Sequence, residues 1–329
     1  MAAATLGTPG LVIAWLSYLF LLYTLLSSYI SGGADILGSL ILSTGLKLSD
    51  WQTSTLFTLL FGIVVYSGIR QVDLLNRALM FGKFAIYLIL VVLIMPKISL
   101  VNFQSGDFSY ITTSVMVLIT SFGFAIIVPN LREYFNDDVR LLRKVILIGS
   151  LVPLICYLAW DAVIIGTIPS QGEEGLATLI HSERTNTDLA RILSITVQSN
   201  FISSSFQFFT SLCMLTAFLG VALCLFSFLS DGLKASQRGR QGLGLFILTF
   251  LPPLLVVIYY PGAYLYAYSY AGLFCVILML LLPALMVVQG RKKFSPRYAV
   301  AGGSFTPWLV IIASGVVLLN AGWELLSKL

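Results

Sequence analysis

Apolar runs long enough to cross a lipid bilayer recur along the whole chain, as in "FAIYLILVVLIM" (84–95) and "VILIGSLVPLICYLAW" (145–160). A bilayer core takes about 20 apolar residues per helical crossing. Within it every backbone N–H and C=O must find its partner inside the protein, which the α-helix does within one segment. Apolar residues make up 58% of the chain and charged residues 10%, too little charge to clothe a water-soluble surface. The expected class is an all-α integral membrane protein.

Windows bounded by charge or turn residues give nine candidate spans, at 10–32, 52–70, 76–95, 110–135, 144–168, 201–230, 241–260, 264–288 and 306–326. The links are short except for a polar stretch at 169–200, where a short helix is expected over 187–197. No soluble domain, low-complexity segment or nucleic-acid-binding element stands out. "MAAATLGTPG" lacks the basic region of a cleavable signal. Alternate loops carry Lys and Arg unequally, thirteen on one side and five on the other, with Lys83 inside a span. Positive charge is retained on the cytoplasmic side, so the expected N-terminus is cytoplasmic and the C-terminus lies outside. The same distribution accounts for the net charge of +5 without an acidic partner.

Several residues inside the spans invite a role. The window 110–135 has 26 residues and contains Gly123 and Pro129. Pro129 lacks an amide hydrogen and its ring collides with the carbonyl of Ala125, while Gly123 loosens the backbone nearby. An ordinary proline kink and a break lining a cavity both fit that pattern; discontinuous helices of the second kind form transporter sites. Lys83 lies six residues past Arg77, about 9 Å into the bilayer at 1.5 Å per residue. Its ammonium either snorkels back to the surface or serves a function at depth. Tyr23 and Ser27 share a helix face, as substrate contacts or as core. Ser203, Gln207, Thr210 and Ser211 form one polar face, which fits either a cavity wall or helix–helix hydrogen bonds. Asp161 is a second charge within a span, and Arg132 to Arg140 form a mixed-charge loop patch. Cys156, Cys213, Cys224 and Cys275 lack CxxC spacing and read as packing residues. The sequence has no GxSxG or HExxH, and its one histidine, His181, falls in the polar link, so an enzyme is not expected.

"TSFGF…VP" with "VRLLRKVILIGSLVPLICYLAW", "YISGGADIL", "DLLNRALMFGKFAIYL", "AFLGVALCLFSFLSDGL" and "LTFLPPLLVVIYYP" resembles the aromatic amino acid permeases, the tyrosine- and tryptophan-specific bacterial transporters. These matches run in order along almost the whole chain. The resemblance implies a LeuT-type inverted-repeat helix bundle of the amino acid–polyamine–cation superfamily. It implies one transporter domain over 1–329, whose nine spans correspond to helices three to eleven of the family. The implied activity is import of tyrosine or tryptophan across the bacterial inner membrane, coupled to protons by alternating access. The partners are then the aromatic substrate, protons and membrane lipid; the cofactor is none beyond the proton gradient, and the oligomeric state is left open. "SYLFLLYTLLSSYISGG" resembles the family's third helix, so the chain is expected to lack the first two. A truncated, non-transporting remnant or an accessory membrane protein is the alternative expectation.

The resemblance also implies roles. Ser121, Phe122, Gly123, Phe124 and Ala125 would line the substrate cavity, and Tyr23 and Ser27 would approach the substrate's carboxylate. Ala125, Ile126 and Ile127 stand where the family carries a His-Gly-Ser-like run. Lys83 would occupy the place of a sodium ion and carry the coupled proton, with Thr216 as its neighbour and Ala217 where a second hydroxyl is often found.

Overall fold

The computed structural model describes residues 2–42, 44–104, 111–123, 128, 131–132, 135–136, 138–172, 175–181, 185–260, 263–294 and 302–326. Among these residues the regular structure is helical, with no strand. In chain order the helices are α1 (Ala2–Leu42), α2 (Asp50–Tyr66), α3 (Ile69–Ile94), α4 (Ile111–Ser121), α5 (Val139–Thr167), α6 (Thr185–Val197), α7 (Asn200–Leu233), α8 (Gly239–Tyr259) and α9 (Ala263–Val276). A π turn, Ile277–Leu281, leads into α10 (Leu282–Lys293), and α11 (Phe305–Leu326) follows.

Seven helices among the described residues are long and apolar enough to span a membrane. The remaining two windows differ from that picture in particular ways. Window 52–70 folds as α2, whose 17 residues measure about 26 Å at 1.5 Å per residue. Window 110–135 begins with the 11 residues of α4 and then runs into residues outside the description. The first span is longer than its window, since α1 continues past Gly32-Gly33 to Leu42. Gly33 is a packing feature, because a Cβ there would stand 2.3 Å from the Phe57 ring of α2. At its start α1 breaks at Gly7, whose φ of 73° and ψ of −162° are accessible to glycine, and Pro9 follows.

The chain divides into two compact units: Met1–Thr24, Asp107–Ser150 and Ala267–Leu329 form the first, and Leu25–Gly106 and Leu151–Tyr266 the second. In the second, α7 is central and packs against α2, α3, α6 and α8. Phe218 of α7 is fully buried, edge-on to Phe57 at 5.1 Å and stacked on Phe250 at 5.9 Å. Aromatic pairs of this kind add about 0.5–1.5 kcal/mol each beyond area burial. A second core gathers Leu90 and Ile94 of α3, Ile164 of α5, Leu193 of α6 and Phe206 of α7. Tyr87 bridges α3 to α5 there, its hydroxyl donating to Cys156 O at 2.8 Å. The last turn of α5 is satisfied from outside, for Gly166 O accepts from Ser99 N at 2.8 Å and Asn102 Nδ2 at 2.9 Å. In the first unit α11 packs on α4, α10 and the π turn.

Candidate functional site

The end of α4 is built against the π turn. Pro283 has no N–H, and its ring pushes on the carbonyl four residues back, that of Met279. The helix responds by widening: Leu282 N–H reaches Ile277 O, five residues back. On α4, the Ser121 hydroxyl donates to Val117 O at 2.8 Å and Phe122 N to Leu118 O at 3.2 Å. The α-helix ends at Ser121, with a turn at Phe122. Gly123 then lies over the π turn: a Cβ there would stand 3.3 Å from Met279 Cε and 3.8 Å from Met279 Sδ. One turn earlier the Thr120 hydroxyl and the Cys275 thiol share a hydrogen bond. Glycine at 123 therefore lets the chain leaving α4 approach a flexible thioether, where a larger residue would crowd it. Phe124, Ala125 and Pro129 lie outside the described residues, as do Ile126, Ile127, Glu133 and Asp137.

Lys83 is half-buried on α3, six residues past Arg77. Arg77 forms an exposed ion pair with Asp73 at 2.9 Å, a contact of small energetic weight at such a surface. No carboxylate pairs with Lys83 among the described residues. A Cβ on Gly82 would stand 3.4 Å from Leu212 Cδ1, which sets α3 against α7 at this level. The Lys83 ammonium and the Cys213 thiol of α7 lie within electrostatic reach of one another. Thr216, buried one turn along α7, donates its hydroxyl to Cys213 O at 2.9 Å. Lys83 thus meets the segment of α7 that carries Thr216.

Tyr23 and Ser27 stand one turn apart on α1, Tyr23 half-buried and Ser27 buried in a strip with Ser28 and Ser31. The polar face of α7 turns on itself: Thr210 donates to Phe206 O and Gln207 O, and Ser211 to Gln207 O at 2.7 Å. Asp161 is exposed on α5. The four cysteines are free, and no group of three His, Cys, Asp or Glu able to hold a metal occurs among the described residues. Met279 and the π turn were missed by the sequence reasoning, although Pro283 inside an apolar span was the available signal.

A family model described as the tryptophan/tyrosine permease family matches residues 1–321. The chain belongs to this family. Tyrosine-specific transport system 2 of Haemophilus influenzae is 32% identical to this permease, covering 97% of it and 79% of its own length. A tryptophan-specific transport protein of Pseudomonas aeruginosa is 30% identical, over 93% of the permease and 74% of its own length. Glutamine transporter 2 of Aliivibrio fischeri is 26% identical, over 97% and 82% respectively. No solved structure matches the permease at a significant level. Membership makes the chain a multi-pass membrane transporter rather than an enzyme.

Proposed function

We propose that this permease imports an aromatic amino acid, tyrosine or tryptophan, together with protons by alternating access. The observation that carries the reading is its relation, over almost its whole length, to transport systems named for tyrosine and tryptophan. Under this reading the fold is a LeuT-type inverted-repeat bundle working as one transporter domain. Its nine spans correspond to helices three to eleven, with the N-terminus in the cytoplasm and the C-terminus beyond the bacterial inner membrane.

Substrate binding falls to the chain leaving α4, through Ser121, Phe122 and Gly123, with Phe124 and Ala125 continuing it. Peptide groups at a helix break present the donors and acceptors that an amino acid's charged ends require, and phenylalanine rings suit an aromatic side chain. The π turn supports this assignment, since such turns recur at functional sites. Tyr23 and Ser27 are the candidate polar contacts for the substrate's carboxylate. Lys83 is the coupling group, an amine without a carboxylate partner among the described residues, beside the α7 segment that carries Thr216.

A second reading, uptake of a polar amino acid, is favoured by the relative named for glutamine. Competition separates the two. Purified permease in liposomes should take up labelled tyrosine or tryptophan, and a tenfold excess of either should suppress that signal where glutamine does not. Suppression by glutamine alone would transfer the assignment to the polar substrate.

A further inference from the structure

The π turn deprives one peptide carbonyl of both its helical donors. In an α-helix the Leu278 carbonyl accepts from the N–H of Leu282, and in a π turn from the N–H of residue 283. Leu282 N–H is taken by Ile277 O, and residue 283 is a proline, which has no N–H. The Leu278 carbonyl is therefore without a donor in either pattern. It also lies deep. The apolar run is Tyr270–Lys293, and Leu278 comes eight residues along it, about 12 Å at 1.5 Å per residue. Hydrocarbon offers such an oxygen nothing, so an acceptor at that depth is kept where protein, water or a ligand supplies the donor. No residue of the π turn is fully buried, which leaves the segment open to approach.

The end of α4 runs beside this segment in the same direction. Thr120 shares a hydrogen bond with Cys275, and one turn on Gly123 meets the Met279 side chain. Helix carbonyls point toward the C-terminal end, so the last carbonyls of α4 and the freed carbonyl of Leu278 face the same way. The Leu278 carbonyl belongs to the peptide that leads into Met279, the residue Gly123 lies over. Two electronegative features thus meet at one place, the negative end of the α4 dipole and an unclaimed peptide oxygen. Neither α4 nor the π turn carries a Lys or Arg to neutralise them. A proline kink alone accounts for the lost bond. It does not account for a second helix that ends beside the kink with a glycine at the contact.

We propose that the Leu278 carbonyl, with the end of α4, accepts the α-ammonium of the transported amino acid. An ammonium is a compact cation with three N–H donors, and its bonds to carbonyl oxygens are strengthened by its charge. Broken membrane helices hold cations through freed carbonyls and helix C-terminal ends in this manner. The inference rests on the reading that residues 121–123 bind substrate, and it adds which end of the substrate meets the π turn. Pro283 becomes a positioning residue, since its missing N–H keeps the Leu278 oxygen available. Every amino acid carries the ammonium, so the assignment holds for an aromatic and for a polar side chain.

The test is binding to the purified full chain in detergent, with tyrosine and tryptophan each compared with the analogue lacking the amino group, desaminotyrosine and indolepropionate. The unaltered permease should prefer the amino acid by about tenfold or more, the worth of a charge-assisted hydrogen bond. Pro283→Ala supplies the missing N–H, lets the helix close in the α pattern and should reduce that preference severalfold, with analogue binding little changed. Pro283→Leu should do the same, whereas Pro153→Ala, which restores an N–H in α5, should keep the preference. A regained helical bond favours folding, so the unfolding temperature of both Pro283 variants should equal or exceed that of the unaltered chain. An undiminished preference in Pro283→Ala and Pro283→Leu would overturn the proposal and leave aromatic binding intact. Preference for glutamine over glutaramate, diminished in the same variants, would uphold the carbonyl's role and reject only the aromatic substrate. Tyrosine binding that requires sodium rather than choline, with the requirement lost in Pro283→Ala, would give the carbonyl to a sodium ion and overturn the proposal. Binding of no amino acid would overturn both readings.

Discussion

Lys83→Met should yield a folded permease that no longer accumulates substrate against a gradient, with proton-driven uptake reduced at least about tenfold, or about 1.4 kcal/mol in driving terms. Methionine matches lysine in length and apolar bulk but removes the charge. A lysine within the membrane costs a few kcal/mol unless it escapes to the surface or finds a partner. Lys83 is half-buried, and no carboxylate pairs with it among the described residues. Relieving that cost should leave the unfolding temperature of Lys83→Met equal to or above that of the unaltered protein. Lys83→Arg separates the two roles a cation can play. Arginine holds its proton at any accessible pH. A lysine that must release its proton is therefore not replaced by arginine, and Lys83→Arg should fail as Lys83→Met does. If the charge served only as an anchor at the surface, Lys83→Arg would transport normally. Uptake measured in proteoliposomes with and without an inward pH gradient distinguishes these outcomes.

Enlarging Gly123 should give a graded loss. A methyl group there meets Met279 Cε at 3.3 Å, the free end of a flexible side chain that can yield by a few tenths of an ångström. Gly123→Ala should therefore keep most of the activity. A branched side chain needs space that the thioether cannot give, so Gly123→Val should displace the chain leaving α4 and reduce uptake about tenfold or more, as misplacement of a binding segment by about 1 Å can. Met279→Ala opens room on the π turn, and the double variant Gly123→Val with Met279→Ala should recover part of the loss. The recovery is the informative reading, because a double-mutant cycle isolates this contact from general damage. Two losses that simply add would show that the approach of Gly123 to Met279 has no part in transport.

The sequence disclosed the membrane class because apolar run length is a strong signal that tertiary contacts do not override. It disclosed the helix of the polar link as well, expected over 187–197 and found as Thr185–Val197. The end of the first span was misplaced for a physical reason. Gly32-Gly33 followed by Asp35 has the composition of a boundary, yet Gly33 is there to admit the Phe57 ring, a contact that only the packed structure reveals. The π turn is hidden for a similar reason. A uniformly apolar stretch such as "CVILMLLLPALM" has no periodicity to show a change of helical pitch, and Pro283 marks a disturbance without stating its form. At the candidate site, Lys83 was conspicuous as a charge within a span, whereas the expectation of Thr216 as its neighbour came through resemblance rather than spacing. Met279 was invisible, since a methionine in an apolar run carries no signal until its neighbour across the fold is known.

Coupling of aromatic amino acid entry to protons is tested most directly by loading liposomes with the purified permease and following labelled tyrosine and tryptophan across an imposed pH difference. Interior label should rise above the outside concentration when the exterior is acidic, and fall to simple equilibration once a protonophore removes the difference. Accumulation unaffected by the protonophore, or entry of neither amino acid under any gradient, would contradict the account.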